Sequence, residues 1–449
     1  MLPVLPPPAP DAPPGTVAVG PVVVNGDSRG AAWDRGRRVV AIINAGGTIG
    51  MKANAKGSLE PCPGYLAERV STMPEFQRPE MPLLLMVELL PLVDSSDMGP
   101  ADWIRIATTI EALYTACDGF VCVLGTDTMA YAASALSFLC ENLGKTVILT
   151  GAMLPLVDVF SDAQRNLIVS TVLATVLDVP EVCVFINDRL LRGNRTVKVN
   201  SSGLDAFDSP NYPPLATLEV GVRFRPQLCL TLPRGRFRVH KTLATNIAVW
   251  RMIPGFDDEY IVSSIQHARS LRAIVLELYG TGNMSSRKAS LIDALKTAIG
   301  RGIIIVASSQ CMRGTVDLGM YALGRNLQDM GVVAGGDMTT EAIAVKLAYL
   351  LSWPGISNSQ VAELMTRNLR GELLERVVGR APGHMLADGN GEVLISPDFM
   401  SGLPRADPAA AAAGGAGDAV AVVPTAADCP RPRHVAVVPP PPPSTAARL

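Results

Sequence analysis

Two doubly wound α/β domains joined by a linker are what this sequence predicts, and three observations carry the prediction. Short, nearly all-apolar runs rich in β-branched residues recur at 38–44 (RVVAIIN), 120–125 (FVCVLG), 147–151 (VILTG), 182–187 (VCVFIN), 273–278 (AIVLEL) and 302–307 (GIIIVA). Helical patterns fit between them, at 101–116, 129–142, 161–177, 285–299 and 339–352. A stretch rich in Pro, Arg and Gly, 208–245, has no clean period and interrupts the alternation.

Each run is the length of a buried strand. A strand covered on both faces by helices reads as continuously apolar rather than alternating. Strands that alternate with helices build a parallel sheet with right-handed crossovers. The aperiodic stretch places a linker at about 226–245, between an N-terminal α/β catalytic domain, 37–225, and a C-terminal α/β domain, 246–402. Both ends differ from this middle. Residues 1–14 hold seven prolines and no basic residue, so 1–36 reads as a Pro/Gly-rich extension without structure rather than a signal peptide. The stretch 403–449 is Ala- and Pro-rich, carries five consecutive prolines, Pro439 to Pro443, near its end, and reads as a disordered tail with polyproline character.

The composition narrows the function classes. The 449 residues are 48% hydrophobic and 18% charged, enough to build large cores. Lys+Arg is 39 against Asp+Glu 41, a formal net charge of -2, which gives no bulk attraction for nucleic acid or an anionic membrane. No run reaches the ~18 unbroken apolar residues of a membrane span. The longest apolar stretches, about 83–93 and 167–177, are broken by Glu88 and Pro91 or by Ser170 and Thr171. Eight scattered cysteines, without close pairs at metal-site spacing, read as reduced thiols in a cytoplasmic protein. A small-molecule partner is the expectation, with no metal.

Open parallel sheets bind ligands at the carboxyl ends of their strands. Four segments at or near such ends carry chemistry. The first strand runs into Asn44-Ala45-Gly46-Gly47-Thr48-Ile49-Gly50, where paired glycines allow a tight turn and present Thr48, a potential nucleophile. The second ends in Gly125-Thr126-Asp127-Thr128, where Asp127 suits a substrate ammonium and Thr126 a proton relay. Asp94-Ser95-Ser96-Asp97 follows the apolar stretch 83–93, with two carboxylates and two hydroxyls suited to a zwitterion. Arg192-Gly193-Asn194-Arg195-Thr196-Val197-Lys198 lies past the strand at 182–187. A dry cleft disfavours an ammonium charge, so Lys198 is the candidate general base for a threonine. Taken singly, these segments read as a Gly-rich turn, a helix cap, a solvated turn and a solvated basic loop. The four histidines, His240, His267, His384 and His434, are far apart and touch none of the motifs, so a Ser-His-Asp triad is hard to assemble.

Seven segments in order, AGGTIGM (45–51), MPEFQRPEMP (73–82), PLVDSSDM (91–98), GTDTMAYAASALSF (125–138), RGNRT (192–196), GGDMTTEA (335–342) and LRGELLE (369–375), together resemble the bacterial-type L-asparaginases. The resemblance is closest to the cytosolic type I branch with its eukaryotic members, and covers about 37–376. It implies a homo-oligomer, dimer or tetramer, without cofactor, that hydrolyses L-asparagine to L-aspartate and ammonia. It implies Thr48 as the nucleophile and Thr126, Asp127 and Lys198 as its partners. It also implies that Ser95 and Asp97, with Asp94 and Ser96 beside them, grip the α-amino and α-carboxylate groups together with Thr126 and Asp127.

The sequence departs from the family in two places. Ser58 stands where some relatives carry a tyrosine, inside a lid expected at 52–64. Asn283 and Cys311 match positions of an activating asparagine site in type I bacterial enzymes, but Val197 replaces a threonine and Glu277 an arginine there. The expectation is a lost or altered response to asparagine. Three other readings compete: an amidohydrolase acting on glutamine, a lipolytic serine hydrolase using Gly26-Asp27-Ser28-Arg29-Gly30, and a catalytically silent interaction protein with proline tails.

Overall fold

In this computed structural model, residues 17–25, 37–54, 56–374 and 393–395 are described. The 403–449 tail and most of the 1–36 extension therefore lie outside the described residues. Two sheets organise the chain. The larger has ten strands: β1 (Val17–Val23), β2 (Val39–Gly46), β3 (Leu83–Val93), β4 (Gly119–Val123), β5 (Thr146–Thr150), β6 (Val182–Ile186), β7 (Arg189–Arg192), β8 (Ala216–Leu218), β9 (Val222–Phe224) and β14 (Val393–Ile395). Their spatial order is β1-β3-β2-β4-β5-β6-β7-β8-β9-β14. The five strands from β3 to β6 are parallel, and those outside them are antiparallel. The smaller sheet is wholly parallel: β10 (Ile247–Arg251), β11 (Ala273–Leu278), β12 (Ile304–Ser309) and β13 (Val333–Ala334).

All six apolar runs become parallel strands, because β2, β4, β5, β6, β11 and β12 have helices on their faces. The helices are α1 (Tyr65–Thr72), α2 (Pro100–Leu113), α3 (Met129–Leu139), α4 (Ala163–Val176), α5 (Glu259–His267), α6 (Ala289–Gly300), α7 (Ala322–Met330), α8 (Thr340–Leu351) and α9 (Asn358–Met365). Helix α3 is buried all round. It lies between the large sheet and α8, so one apolar cluster runs from Ala41 and Ile43 through Leu136 to Leu347 and Leu350.

Two elements differ from the sequence reading. The stretch 83–93 forms β3, an eleven-residue strand beside β2; Glu88 does not interrupt it. The extension before residue 37 is not structureless throughout. Val17–Val23 pairs antiparallel with β3, Val17 opposite Leu90 and Val23 opposite Leu85. Its Gly20-Pro21 pair falls at the register shift, and proline is tolerated on an edge strand at a bulge. Asn25 then locks the strand's exit. Its Nδ2 donates to the carbonyls of Phe76 (2.9 Å) and Pro82 (2.8 Å), and its Oδ1 accepts from Leu84 N (2.8 Å). The physical reason is the edge of β3, whose free N–H and C=O groups need a partner.

The basic loop 192–196 is also not a solvated face. Arg192 and Arg195 are buried. Arg192 makes a bidentate pair with Glu181 (2.5 and 3.0 Å) and donates to the carbonyls of Leu228 (2.7 Å) and Gly371 (3.2 Å). Arg195 donates to Asp337 Oδ2 and to Glu372 O, both at 2.5 Å. The GGDMTTEA and LRGELLE motifs supply Asp337, Gly371 and Glu372 among these acceptors, so they act as structural partners of RGNRT. Beside them Lys346 and Glu372 form an ion pair at 2.6 Å with both side chains at 0% exposure. Burial pushes the Lys346 ammonium down from the usual lysine range, and Glu372 opposes that shift.

Lys346→Met leaves the Glu372 carboxylate buried without its cation. Denaturant unfolding should show a loss of about 3–5 kcal/mol. Arg38→Ala, which removes the exposed pair with Asp178 at 3.0 Å, should cost about 1 kcal/mol or less.

Candidate active site

Three strand tips of the large sheet meet because glycines stand at the contacts. A Cβ on Gly46 (φ 122°) would lie 2.2 Å from Val93 O, at the end of β3. One on Gly47 (φ 85°) would lie 2.2 Å from Gly125 N, just past β4, and one on Gly125 would lie 2.5 Å from Ser95 Oγ. Real Cβ contacts are essentially never so short, so another residue would displace backbone at Gly46 or Gly47 and the Ser95 side chain at Gly125. The loop carrying Thr48 therefore stacks directly on the loop carrying Thr126, and that loop on the Asp94–Asp97 turn.

Thr48 opens a one-turn 3-10 helix, Thr48–Gly50, and is half-buried above buried Ile49 and Gly50. Thr126 is 7% exposed. Its Oγ1 accepts from Lys198 Nζ at 2.9 Å and donates to Met153 Sδ at 3.7 Å. Lys198 reaches this point from a two-residue strand, Val197–Lys198, paired with Phe207–Asp208. Its ammonium also contacts Asp127 Oδ1 at 2.5 Å; the lysine side chain is 16% exposed and the aspartate 67%. Thr126, Asp127 and Lys198 thus form one cluster beside the Thr48 turn. The cluster joins a hydroxyl to an amine and leaves a carboxylate open to solvent for a ligand cation.

The Asp94–Asp97 turn divides its work. Ser95 is buried: its Oγ accepts from Asp127 N (3.3 Å) and its carbonyl from Thr128 Oγ1 (2.7 Å). Asp94 Oδ1 accepts from Ser96 N (2.8 Å) and Ser96 Oγ (2.7 Å), so these two hold their own turn. Asp97 is exposed at the rim. Met153, on the loop after β5, is a contact that reading the sequence missed. Its only signal is its place just past Thr150-Gly151 at a strand end.

The 52–64 segment is a hairpin, Met51–Ala53 against Leu59–Pro61, rooted directly after Gly50. Ser58 sits in its turn, where its N–H donates to Asn54 Oδ1 at 3.0 Å. Lys52 Nζ lies 4.0 Å from the Tyr65 ring centroid. Glu277 is engaged by Thr340 Oγ1 (2.9 Å) and Arg251 Nη1 (3.4 Å). Asn283 Oδ1 accepts from Met284 N (3.0 Å), and Cys311 is exposed. His240 lies elsewhere, bonded to Ser352 Oγ at 2.7 Å and stacked on Trp353; burial pushes its pKa down. His384, His434 and the Gly26–Gly30 motif lie outside the described residues. Among the described residues, no group of three or more His, Cys, Asp and Glu could hold a metal ion, and no helix is long and apolar enough to cross a membrane.

Comparison with known proteins gives this geometry its family. The family model for the N-terminal asparaginase domain matches residues 39–229, and that for the glutaminase/asparaginase C-terminal domain matches 246–365. L-asparaginase 1 of Escherichia coli K12 is 44% identical over 339 residues, 75% of this chain and 98% of that protein. The 60 kDa lysophospholipase of Homo sapiens is 37% identical over 358 residues, 75% of this chain and 61% of that protein. The crystal structure of L-asparaginase I from Vibrio cholerae is 44% identical, with a TM-score of 0.70 over 75% of this chain and 99% of that one. The two-domain fold is that of the asparaginases, and the chain belongs to the asparaginase family of amidohydrolases.

Proposed function

We propose that this protein hydrolyses L-asparagine to L-aspartate and ammonia through an ester on Thr48. The observation that carries the reading is the Lys198–Thr126–Asp127 cluster, packed through Gly125 against the turn that presents Thr48. The catalytic groups fall in the domain 37–225, whose sheet also takes in Val17–Val23 and Val393–Ile395, with 226–245 as linker and the second domain beginning at 246.

The chemistry follows from the groups present. A threonine hydroxyl is a weak nucleophile at neutral pH and needs a proton acceptor. Thr48 Oγ1 attacks the side-chain amide carbon and gives up its proton to the relay of Thr126 and Lys198. Backbone N–H groups at the strand tips face the charge that develops on the carbonyl oxygen. The C–N bond breaks, and the nitrogen leaves as ammonia with the relayed proton. Water, deprotonated by the same Lys198–Thr126 pair, adds to the ester carbon. The ester C–O bond then breaks, and Thr48 recovers its proton. Asp127 and Asp97 receive the α-ammonium, and the Ser95 region, ordered by Asp94 and Ser96, receives the α-carboxylate. Anchoring both ends fixes the amide near attack distance.

The same reading assigns a homodimer or homotetramer without cofactor. It also assigns a cytoplasmic setting, in keeping with the free thiols of all seven described cysteines. One methylene changes pocket energetics by only ~1–3 kcal/mol, so the preference for asparagine over glutamine is read from rates on both amino acids.

Thr48→Ala should reduce ammonia release from asparagine by ~10³-fold or more, and Lys198→Ala should lower kcat by ~10²–10⁴-fold. Activity of Thr48→Ala close to that of the unaltered protein would sink the assignment. Glu277 places a carboxylate, already held by Thr340 and Arg251, where an activating asparagine would need a cation. The rate should therefore rise hyperbolically with asparagine concentration; a sigmoidal curve contradicts this.

A further inference from the structure

The mechanism above makes no use of Glu88, yet Glu88 is a carboxylate only 6% exposed in the middle of apolar β3. Burying a carboxylate is costly unless its oxygens find donors. Both do. Oε1 accepts from Asn44 Nδ2 at 3.0 Å, and Oε2 accepts from Gly64 N at 2.8 Å. Asn44 is its register partner on β2 and is fully buried. Asn44 passes the constraint on: its Oδ1 accepts from Gly46 N at 3.1 Å. Its amide also lies beneath Gly50, where a Cβ would stand 3.8 Å from Nδ2 and 4.0 Å from Oδ1. Gly46 and Gly50 bracket Thr48. Gly64 closes the hairpin segment that follows the turn and immediately precedes α1. Cys62 N, two residues earlier, donates to Gly50 O at 3.2 Å.

The polarity of this chain fixes what can stand at position 88. Gly46 N–H and Gly64 N–H are donors that cannot change, so Asn44 must present its oxygen to Gly46 and its NH₂ to residue 88. Residue 88 must then accept twice, which an ionised carboxylate does and an amide does not.

We propose that Glu88 is a positioning residue: through Asn44 it fixes the turn that carries Thr48, and through Gly64 it fixes the root of the hairpin beside it. The catalytic half of this inference rests on Thr48 as nucleophile. Glu88→Gln sets a new NH₂ against either the Asn44 NH₂ or the Gly64 N–H. Asn44→Asp alone sets two carboxylates against each other. Asn44→Asp with Glu88→Gln restores every hydrogen bond with one donor reversed. The new amide at position 88 donates to the new carboxylate at position 44, which still accepts from Gly46.

The experiment compares these three variants in the full chain. It measures kcat and KM for ammonia release from asparagine, and amide hydrogen exchange over 44–50 and 62–66. Glu88→Gln should lower kcat by ~10–10²-fold, the scale of a misplaced reacting group. KM should stay within ~3-fold, because the groups that grip the zwitterion lie elsewhere. Exchange in both segments should accelerate. The double variant should return kcat to within ~3-fold of the unaltered protein and restore protection, and Asn44→Asp alone should be at least as impaired as Glu88→Gln. Unchanged kcat and exchange in Glu88→Gln, or a double variant no better than Glu88→Gln, overturns the proposal. Should Glu88→Gln fail to fold, the double variant decides alone: folded and active supports it, unfolded overturns it. Exchange that follows this pattern while Thr48→Ala stays active removes the nucleophile assignment and leaves the hydrogen-bond chain standing.

Discussion

The site depends on backbone meeting backbone. Gly46, Gly47 and Gly125 let the tips of β2, β3 and β4 approach closer than any side chain allows. Everything chemical is arranged around that contact: Thr48 one residue past Gly47, Thr126 one past Gly125, and Ser95 beneath Gly125. A Cβ at Gly46 or Gly47 would press on the backbone of the neighbouring strand end, and one at Gly125 on the Ser95 side chain, and packed interiors resist such shifts. The glycines thus bring the hydroxyls together with rigid scaffold rather than mobile loops, which is where precise chemistry is best mounted.

The second constraint is electrostatic and sits further from the chemistry. Arg192, Arg195 and Lys346 are buried against Glu181, Asp337 and Glu372, and the carbonyls of Gly371 and Glu372 accept further bonds from Arg192 and Arg195. Buried ion pairs of this kind add little net stability but penalise every arrangement that separates them. Here the Arg195–Asp337 pair, with the bonds of Arg192 to Gly371 O and Arg195 to Glu372 O, binds the loop before Lys198 to the second half of the chain. The position of Lys198 relative to Thr126 is therefore tied to how the two halves pack, through the single 3-10 turn at 193–195 and the α3–α8 contact.

Much of this was legible in the sequence, and the failures have physical causes. The six apolar runs became strands because burial on both faces leaves an unambiguous pattern. Thr126 and Asp127 stand at a strand end of the parallel sheet, and Lys198 reaches them from the short antiparallel pair that follows the 193–195 turn. Residues 83–93 hid a strand, since Glu88 and Pro91 look like breakers until their partners are known. Val17–Val23 hid another, because prolines dominate the local composition and edge strands tolerate them. The arginines of 192–196 looked solvated, because nothing local reveals acceptors that lie about 140 to 180 residues away in the chain. Asp94 and Ser96 bond each other within their turn, a contact that a short polar turn makes locally and that the strand pattern does not reveal.

The match to the asparaginase N-terminal domain begins at residue 39, yet the sheet begins at residue 17. A protein trimmed to the family boundary would lose β1 and uncover the long apolar flank of β3. An open flank of that kind recruits strands from neighbouring molecules. The strand Val17–Val23 thus guards that flank, and a protein shortened past it would be the one to clump.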